Sequence, residues 1–446
     1  MKRVFVMAIL FMAVRATAAQ PPTAGPQQRS ASLFPLADHH AHLLSPASAK
    51  LANDPPFPTI ELPEDLARLL RDREKGWNDK AALARLFTED SLVLDSRESS
   101  WLRGRDEVTE FLAGNFAKPH RVTPFAYSVE GSAGYIAGYF TRIRDDGSTR
   151  YFGHVLLSLK KGTDGVWRIA AETPIFPGPK IRDPITAEQL IAQLDDAGIQ
   201  RAAVLSVAYW YGNPHRPKAE GDDEYAKVRA ENDWVVQEVA RFPDRLAAFC
   251  SFNPLKDYAL QEIDRCAKLP HVKGLKLHLG NSRVDVLNPE HVEKLRRVFA
   301  AANERRLAIV AHLWTDETYG REHAEVFLNR LLPAAPDIPV QIAHFAGGGP
   351  GYTDEALAVY ADAISAGDPR TKNLYFDFAT VADEQSKEVL QTFAKRIRQV
   401  GLSRVLYGTD MGPPAARQSW LTFRTTVPLA EDELRTIAGN VAPYFR

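Results

Sequence analysis

From Pro184 to the end of the chain, short apolar runs alternate with longer segments in which apolar residues recur every three or four positions. Short runs are typical of buried strands, and the longer spacing is typical of amphipathic helices. The predicted strands are residues 202–207, 246–252, 272–279, 308–313, 340–345, 374–378 and 405–408. With residues 36–42 as a first strand, the pattern predicts an α/β fold, a (β/α)8 TIM barrel, and an open doubly wound sheet is the structural alternative.

A different pattern separates the first strand from the first predicted barrel helix, at residues 187–197. A linker rich in Pro, Ala and Ser spans residues 45–58, and helical spacing follows at 64–87 and 106–115. Three strands are then predicted, with an Asp-Gly turn before the second and the third, at 133–143, 149–160 and 166–173. Helices followed by a meander predict an α+β cone-like domain inserted in the loop after strand one, on the catalytic side of the barrel. The predicted domains are therefore a barrel from residues 35–44 and 184–446, and an insert at 60–176.

The N-terminus is typical of a secretory signal peptide. Lys2 and Arg3 precede an apolar run at residues 4–14, and small residues follow at 16–19. We therefore predict a signal peptide at 1–19, a flexible lead-in at 20–34, and an exported protein, periplasmic or secreted, that is soluble once the peptide is removed. The chain has 446 residues and a net charge of −1 without a basic tract, so nucleic acid is not an expected partner.

Two cysteines, Cys250 and Cys266, are the only ones in the chain. Cys250 ends a predicted strand and Cys266 falls late in the next predicted helix. Two cysteines do not make a disulfide scaffold in a chain of this size, so we expect two buried thiols, with a bridge as the alternative.

Histidines and an aspartate end several predicted strands. Asp38, His40 and His42 share one face of strand one because side chains alternate along a strand. His312, His344 and Asp410 end strands five, six and eight, where barrel side chains point into the catalytic bowl. Imidazoles and a carboxylate that converge in this way predict a divalent-metal site. The alternative is a set of polar strand ends that satisfy local hydrogen bonds.

These motifs together resemble the amidohydrolase superfamily, in the metal-dependent hydrolase branch that contains aminocarboxymuconate-semialdehyde decarboxylase. The resemblance is carried by the stretches His40-Ala41-His42, Ala346-Gly347-Gly348-Gly349, Tyr407-Gly408-Thr409-Asp410 and Ile437-Ala438-Gly439-Asn440. It implies that His40, His42, His312 and Asp410 bind one divalent metal. Zinc is expected, with Mn²⁺ and Fe²⁺ as alternatives. It further implies that His344 acts as general acid or base, that Asp410 orients or deprotonates a metal-activated water, and that the chain forms a homodimer.

Strand four adds Lys276 and His278, which share a strand face. We expect both to bind the substrate, together with Trp314 after strand five. Two alternatives remain for Lys276: an ordinary strand-end cation, or a carbamylated bridge between two metals, as in some amidohydrolases. Aromatic residues in the loops either line an apolar pocket or pack against the insert, and these are Tyr209, Trp210, Tyr211 and Phe345.

The insert resembles the SnoaL-like and ketosteroid-isomerase-like superfamily. The motifs that carry this resemblance are Trp77-Asn78-Asp79, the segment from Leu86 to Ser91, the segment from Gly104 to Val108, and the segment from Gly165 to Ile169. By that resemblance His154 or Asp90 is a candidate catalytic residue, although packing or capping is favoured for both. We expect the insert to cover the barrel mouth or to form a subunit contact.

Three functions follow in order of preference. The first is a metal-dependent hydrolase that uses a metal-activated water on an amide, ester or lactone carbonyl of a small molecule. The second is a metal-dependent, non-hydrolytic decarboxylase of a small carboxylic acid. Several aromatic-acid decarboxylases of the branch carry Glu-x-His on strand one, where this chain has His40-Ala41-His42, so one indication of decarboxylation is missing. The third is a non-enzymatic ligand-binding protein.

Overall fold

The computed structural model describes residues 34–53, 57–95, 100–115, 120–143, 149–175, 183–216, 221–315, 318–383, 385–410 and 416–445. The predicted signal peptide and almost all of the lead-in, and the predicted turn Asp145-Asp146-Gly147, lie outside these residues and stay predictions. Within the described part, no helix has the length and apolar character needed to cross a membrane.

The strands are β1 (Ala37–Ala41), β2 (Phe87–Asp95), β3 (Ser100–Arg103), β4 (His120–Glu130), β5 (Ala133–Ile143), β6 (Thr149–Lys161), β7 (Trp167–Ile175), β8 (Arg201–Leu205), β9 (Leu246–Ser251), β10 (Val272–His278), β11 (Ala308–His312), β12 (Val340–Ile342), β13 (Leu374–Asp377) and β14 (Val405–Leu406). The helices are α1 (Pro46–Asn53), α2 (Glu64–Lys75), α3 (Lys80–Ala84), α4 (Arg105–Asn115), α5 (Ala187–Ala197), α6 (Glu224–Ala240), α7 (Ala259–Cys266), α8 (Pro289–Glu304), α9 (Arg321–Val326), α10 (His344–Gly348), α11 (Pro350–Ser365), α12 (Lys387–Val400), α13 (Ala416–Thr426) and α14 (Glu431–Ala438). The short α10 is a turn rather than a regular helix, because its three central residues have positive φ angles.

Eight parallel strands form the larger sheet, in the order β1-β8-β9-β10-β11-β12-β13-β14. The first and last strands meet where His39 N donates to Tyr407 O at 2.8 Å and where Ala41 bridges Asp410 in parallel. The sheet therefore closes into a nearly complete barrel with helices between its strands. The predicted TIM barrel is confirmed, and the open doubly wound alternative is wrong.

Local signals explain where the first barrel helix lies. Thr186 N donates to Gln189 Oε1 at 2.8 Å, which forms part of a capping box at the start of α5. Gly198 ends the helix with φ of 73°, a left-handed conformation that glycine adopts without steric cost. Apolar residues on α5 are buried, and these are Ala187, Leu190, Leu194 and Ala197. Capping and burial together fix the point at which the chain re-enters the barrel.

The insert leaves and returns at the same place, just beyond the C-terminal end of β1. Leu44 N donates to Ile185 O at 3.1 Å, and Ile185 N donates to Leu44 O at 2.9 Å. The elements between these residues include α2–α4 and a second sheet of order β3-β2-β7-β6-β5-β4. The helices pack on one face of that sheet and form a core that includes Leu66, Leu83, Val108, Ile136 and Leu157. The predicted α+β insert is thus tied to the end of a barrel strand whose side chains face the catalytic bowl.

The insert also differs from the sequence prediction. The predicted linker contains helix α1, and the predicted helix at 64–87 is two helices, because Gly76 ends α2 and Asp79 caps α3. Strands β2, β3 and β4 were not predicted. Irregular register in β2 and a bulge at Pro124–Ala126 in β4 break the period-two alternation that marks a strand.

Cys250 and Cys266 form a disulfide, so the expectation of two free buried thiols is wrong. Their Cα atoms lie 6.4 Å apart, and both residues are buried. The bond joins the end of β9 to the end of α7, the helix that follows it. This pairing links one strand–helix step of the barrel covalently.

The disulfide is expected to stabilise the barrel. It closes a loop with a sequence separation of 16 residues, and a loop of that length contributes about 3 kcal/mol by the entropy of the unfolded chain. The double variant Cys250→Ala/Cys266→Ala should therefore lose about 3 kcal/mol in the free energy of unfolding, measured by denaturant titration. Wild-type protein reduced with dithiothreitol serves as the matched control and should show a similar loss. Equal stability of all three samples would contradict this prediction.

Candidate metal centre

Strand β1 and the residue that follows it present two imidazoles, His40 and His42, whose Nδ1 atoms are already engaged. His40 Nδ1 lies 3.0 Å from Asp377 Oδ2, and His42 Nδ1 lies 2.6 Å from the backbone oxygen of Leu205. Both partners accept hydrogen bonds, so each histidine carries its proton on Nδ1 and keeps the lone pair on Nε2. Burial lowers the pKa of His40 to about 3 and also lowers the pKa of His42, so both rings are neutral. Histidines that bind metals are held in this way.

Asp410 brings a carboxylate to the same point. Its Oδ1 lies 3.5 Å from His40 Nε2 and 3.3 Å from His42 Nε2, and 31% of its side chain is exposed. Burial alone would raise the pKa of Asp410, but the adjacent imidazoles, that of His42 first, hold that pKa well below its usual range. His40, His42 and Asp410 each offer a ligand atom within 4.8 Å of the others. The structure therefore brings together three of the four predicted metal ligands.

His312 lies in the same bowl but outside that group of three. Its ring stacks on His278 with centroids 3.8 Å apart, and its Nε2 lies 3.2 Å from Thr315 Oγ1. The ring centroid of His344 is 4.5 Å from that of His312. His312 thus borders the ligand group, and its role as a fourth ligand stays a proposal.

His344 is held by three features of the turn after β12. Its φ angle is 51°, its N–H donates to Asp377 Oδ1 at 3.0 Å, and its Nδ1 lies 2.8 Å from Ala379 O. Its Nε2 is buried and has no hydrogen-bond partner within the described residues. An unpaired buried nitrogen is costly unless a ligand or substrate engages it. His344 Nε2 is therefore an unpaired polar atom on a ring that lies beside those of His40 and His312.

Lys276 extends a buried ammonium group toward the ligand group. Its Nζ lies 2.9 Å from His40 Nε2, and 1% of the residue is exposed. Burial lowers the pKa of Lys276 to about 8, although the charges of Asp410 and Asp377 partly offset that effect. A large part of the lysine population therefore remains cationic at neutral pH.

The other predicted substrate contacts lie nearby. His278 Nδ1 accepts a hydrogen bond from Asn281 N at 3.2 Å, and its ring lies 4.9 Å from that of Tyr209. Trp314 Nε1 donates to Val284 O at 2.7 Å, so its indole is fixed and half-buried. Tyr209 and Trp210 pack in a buried apolar cluster, and Tyr211 hydrogen-bonds Ser48.

Three further candidates, Phe345 in the barrel and Asp90 and His154 in the insert, lie outside the group of residues around Asp410. Phe345 is fully buried against the barrel residues Phe376 and Phe393, so neither of the two alternatives left open for it, pocket lining or packing against the insert, describes its position. In the insert, Asp90 is exposed, and the ring of His154 lies 5.6 Å from that of Tyr139. The position of His154 agrees with the packing role favoured for it.

Asp377 is the site residue that sequence reasoning missed. Its carboxylate accepts four hydrogen bonds, from His40 Nδ1, Gln341 Nε2, His344 N and Ala379 N. Burial alone would raise the pKa of Asp377, but His40 and these donors outweigh it and hold that pKa far below its usual value. The available signal was a carboxylate at the end of the otherwise apolar strand β13.

Asp38, on the same strand as His40, is a second buried carboxylate. Its Oδ1 accepts from His40 N at 3.0 Å and from Thr409 N at 3.2 Å, and its Oδ2 accepts from Thr409 Oγ1 at 2.6 Å. Burial raises the pKa of Asp38 to about 6, since these hydrogen bonds offset only part of the cost of burying its charge. Asp38 therefore ties β1 to β14 rather than joining the ligand group.

The residues present fit a divalent metal. Two neutral imidazoles, with their protons on Nδ1 and their Nε2 lone pairs turned toward Asp410 and Lys276, and one carboxylate form the donor set that zinc and similar ions prefer. Their Nδ1 atoms are held by partners of the kind that orient metal ligands. The fold and this donor set define a TIM barrel with a candidate metal centre at the C-terminal ends of its strands.

A comparison with protein families agrees with this class. Residues 37–440 match the family model Amidohydro_2, described as amidohydrolase, and the chain belongs to that family. The expected superfamily is thus confirmed, and with it the expectation that the protein is an enzyme of hydrolase or carboxy-lyase type. A search of curated proteins found no match.

Solved structures are similar to parts of the chain. One is 5-carboxyvanillate decarboxylase from Sphingomonas paucimobilis, with 20% identity, a TM-score of 0.41, and coverage of 56% of this chain and 79% of that one. Another is 2,6-dihydroxybenzoate decarboxylase, with 17% identity, a TM-score of 0.41, and coverage of 56% and 84%. A third, with a cystatin-like fold and from Nostoc punctiforme, has 14% identity, a TM-score of 0.23, and coverage of 27% and 97%.

Proposed function

We propose that this enzyme is a metal-dependent carboxy-lyase that releases CO₂ from a small carboxylic acid. The observation that carries the proposal is the buried ammonium group of Lys276. Its Nζ lies 2.9 Å from His40 Nε2, and the neighbouring carboxylate, that of Asp410, is partly exposed. A buried cation is costly unless an anion matches it. A carboxylate substrate supplies that anion, whereas a neutral ester, amide or lactone does not.

His40, His42, His312 and Asp410 would hold the metal. The bound ion supplies Lewis-acid stabilisation of negative charge on the substrate. Lys276 binds and orients the substrate carboxylate beside it. The bond between the carboxyl carbon and its neighbour then breaks, CO₂ leaves, and the electron pair stays on the remaining carbon. His344 delivers a proton, taken up from solvent, through its unpaired Nε2 to that carbon.

Hydrolysis is the second candidate, and Asp410 favours it. Its side chain is 31% exposed and lies beside the Nε2 atoms of two imidazoles. A carboxylate in that position can accept a proton from an attacking water. The first function expected from the sequence therefore becomes the second proposal, because Lys276 is better matched by an acid than by a neutral carbonyl compound.

One assay separates the two reactions. Protein loaded with Zn²⁺, Mn²⁺ or Fe²⁺ is incubated with a panel of aromatic and unsaturated carboxylic acids, and with lactones, esters and amides. We expect CO₂ release from at least one acid in amounts equal to the acid consumed. Ring opening or acid release from neutral compounds without any CO₂ would overturn the proposal in favour of hydrolysis.

Lys276→Met is expected to weaken binding of the carboxylate substrate. Removing one member of a buried, hydrogen-bonded charge pair costs about 2 kcal/mol or more, which corresponds to an increase of KM by about 30-fold. Lys273→Met is the matched control, since Lys273 lies on the same strand but is exposed near its N-terminal end. Steady-state kinetics should show the increase for Lys276→Met alone. An unchanged KM in both variants would show that Lys276 does not bind the substrate carboxylate.

A further inference from the structure

A continuous chain of hydrogen bonds runs from the C-terminal end of the protein to the metal ligand His40. Tyr444 Oη donates to Gln341 Oε1 at 2.8 Å, and Gln341 Nε2 donates to Asp377 Oδ2 at 2.7 Å. Asp377 Oδ2 in turn accepts from His40 Nδ1 at 3.0 Å. All four residues are buried in the barrel. The contacts join the short helical turn at Pro443–Phe445 to strand β1 through strands β12 and β13.

Each hydrogen bond between Tyr444 and His40 has a fixed donor and a fixed acceptor. Gln341 Nε2 faces two groups that only accept hydrogen bonds, the Asp377 carboxylate and the backbone oxygen of His39, which lies 3.1 Å away. The amide nitrogen must therefore stay on that side, and Oε1 must face the opposite way. Tyr444 provides the donor that Oε1 then requires. Burial raises the pKa of Tyr444 well above its usual value, so the hydroxyl keeps its proton.

A second contact holds the same segment against β1. Ala442 N donates to His39 Nε2 at 3.1 Å, and His39 Nδ1 donates to Tyr407 O at 3.0 Å. Both nitrogens of His39 are thereby used, which places the backbone of Ala442 and the ring of Tyr444 in a defined position. The hydroxyl of Tyr444 is thus held for its contact with Gln341 rather than left to rotate freely.

We propose that Tyr444 is a positioning residue for the metal centre, acting on His40 through Gln341 and Asp377. The inference rests on the metal site of the proposed function. Without the hydroxyl, Gln341 Oε1 is buried without a donor, and the amide loses one of the contacts that fix its position beside Asp377. A less firmly held amide weakens the hydrogen bond from Gln341 Nε2 to Asp377 Oδ2, and the carboxylate then holds His40 Nδ1 less firmly. The ring of His40 is thereby less well positioned to present Nε2 to a metal.

Tyr444→Phe in the full-length chain tests the proposal, with Tyr360→Phe as the matched control. Tyr360 is also fully buried, but it lies on α11 and outside this chain of contacts. Metal affinity is measured by competition of Co²⁺ and Zn²⁺ with a chromophoric chelator. Partners of metal ligands change affinity about 10- to 100-fold. Tyr444 acts two contacts further out, so we expect the metal dissociation constant to rise about three- to tenfold for Tyr444→Phe and to stay unchanged for Tyr360→Phe.

A second readout needs neither metal nor activity. In ¹⁵N-histidine spectra of the metal-free protein, wild type should show a sharp His40 Nδ1 signal of a protonated nitrogen hydrogen-bonded to Asp377, and Tyr444→Phe should shift and broaden that signal. An unaltered His40 signal together with an unaltered metal dissociation constant would overturn the proposal. If wild type releases no CO₂ from any acid but the His40 spectra of wild type and Tyr444→Phe differ as predicted, the proposed reaction is rejected and the role of Tyr444 is retained.

Discussion

Asp410→Asn is expected to abolish metal binding at micromolar metal and to lower kcat/KM by about 10³-fold or more. Asp410 is the carboxylate within the ligand group it forms with His40 and His42. A bound metal contributes several kcal/mol of charge stabilisation in the transition state, and each 1.36 kcal/mol corresponds to a tenfold change in rate. Asparagine keeps the shape of the side chain but removes its charge.

The fold should survive this substitution. Asp410 has a φ angle of 66°, a left-handed conformation that asparagine tolerates as well as aspartate does. Its side chain is also 31% exposed, so the variant buries no new unpaired group. The melting temperature of the metal-free variant should therefore equal that of metal-free wild type. Activity within tenfold of wild type, with metal still bound, would exclude Asp410 as a ligand.

Asp377→Asn is expected to raise the metal dissociation constant about 10- to 100-fold and to destabilise the fold. The carboxylate accepts two N–H groups on each oxygen, as His40 and Gln341 face Oδ2 while His344 and Ala379 face Oδ1. In either orientation, an asparagine amide places its NH₂ group, which cannot accept, against one of these two pairs of donors. Two buried donors then lose their acceptor, at about 1–3 kcal/mol each. The loss of orientation at His40 gives the expected fall in metal affinity.

Asp38→Asn provides a matched control for that variant. Both carboxylates are fully buried, and both lie beside β1. At Asp38, however, one oxygen accepts both backbone N–H groups and the other faces the hydroxyl of Thr409, which can also accept. An asparagine there can satisfy every partner, so stability and metal affinity should change little. Metal affinity is measured by chelator competition and stability by thermal unfolding. Equal losses of both in Asp377→Asn and Asp38→Asn would show that the buried charge matters, rather than the four donors around Asp377.

The barrel could be predicted because its signals are local. Each strand is a short apolar run, and His40, His42, His312 and Asp410 are found by reading the ends of those runs. Helix α5 has its predicted bounds, and strand β10 ends one residue before its predicted end. Residue type and position along a strand were enough to place these candidate ligands at one end of the barrel.

The rest of the site depends on contacts between distant parts of the chain. Gln341 and Asp377 are recognisable as site residues only once β12 lies beside β13. The orientation of His344 follows from a turn with positive φ angles, which no periodic pattern encodes. Phe345 follows His344 in the chain, yet that turn directs it into the core rather than into the bowl. A disulfide likewise needs the distance between two Cα atoms, which spacing alone does not give.

The metal content of the purified protein tests the central claim most directly. Wild type and the double variant His42→Ala/Asp410→Asn are prepared without chelator and analysed by inductively coupled plasma mass spectrometry, before and after loading with Zn²⁺, Mn²⁺ or Fe²⁺. We predict about one divalent ion per wild-type chain and none in the variant. Two ions per chain would contradict the mononuclear site and point to Lys276 as a bridge. A wild type that takes up no metal under any condition would contradict the metal centre itself.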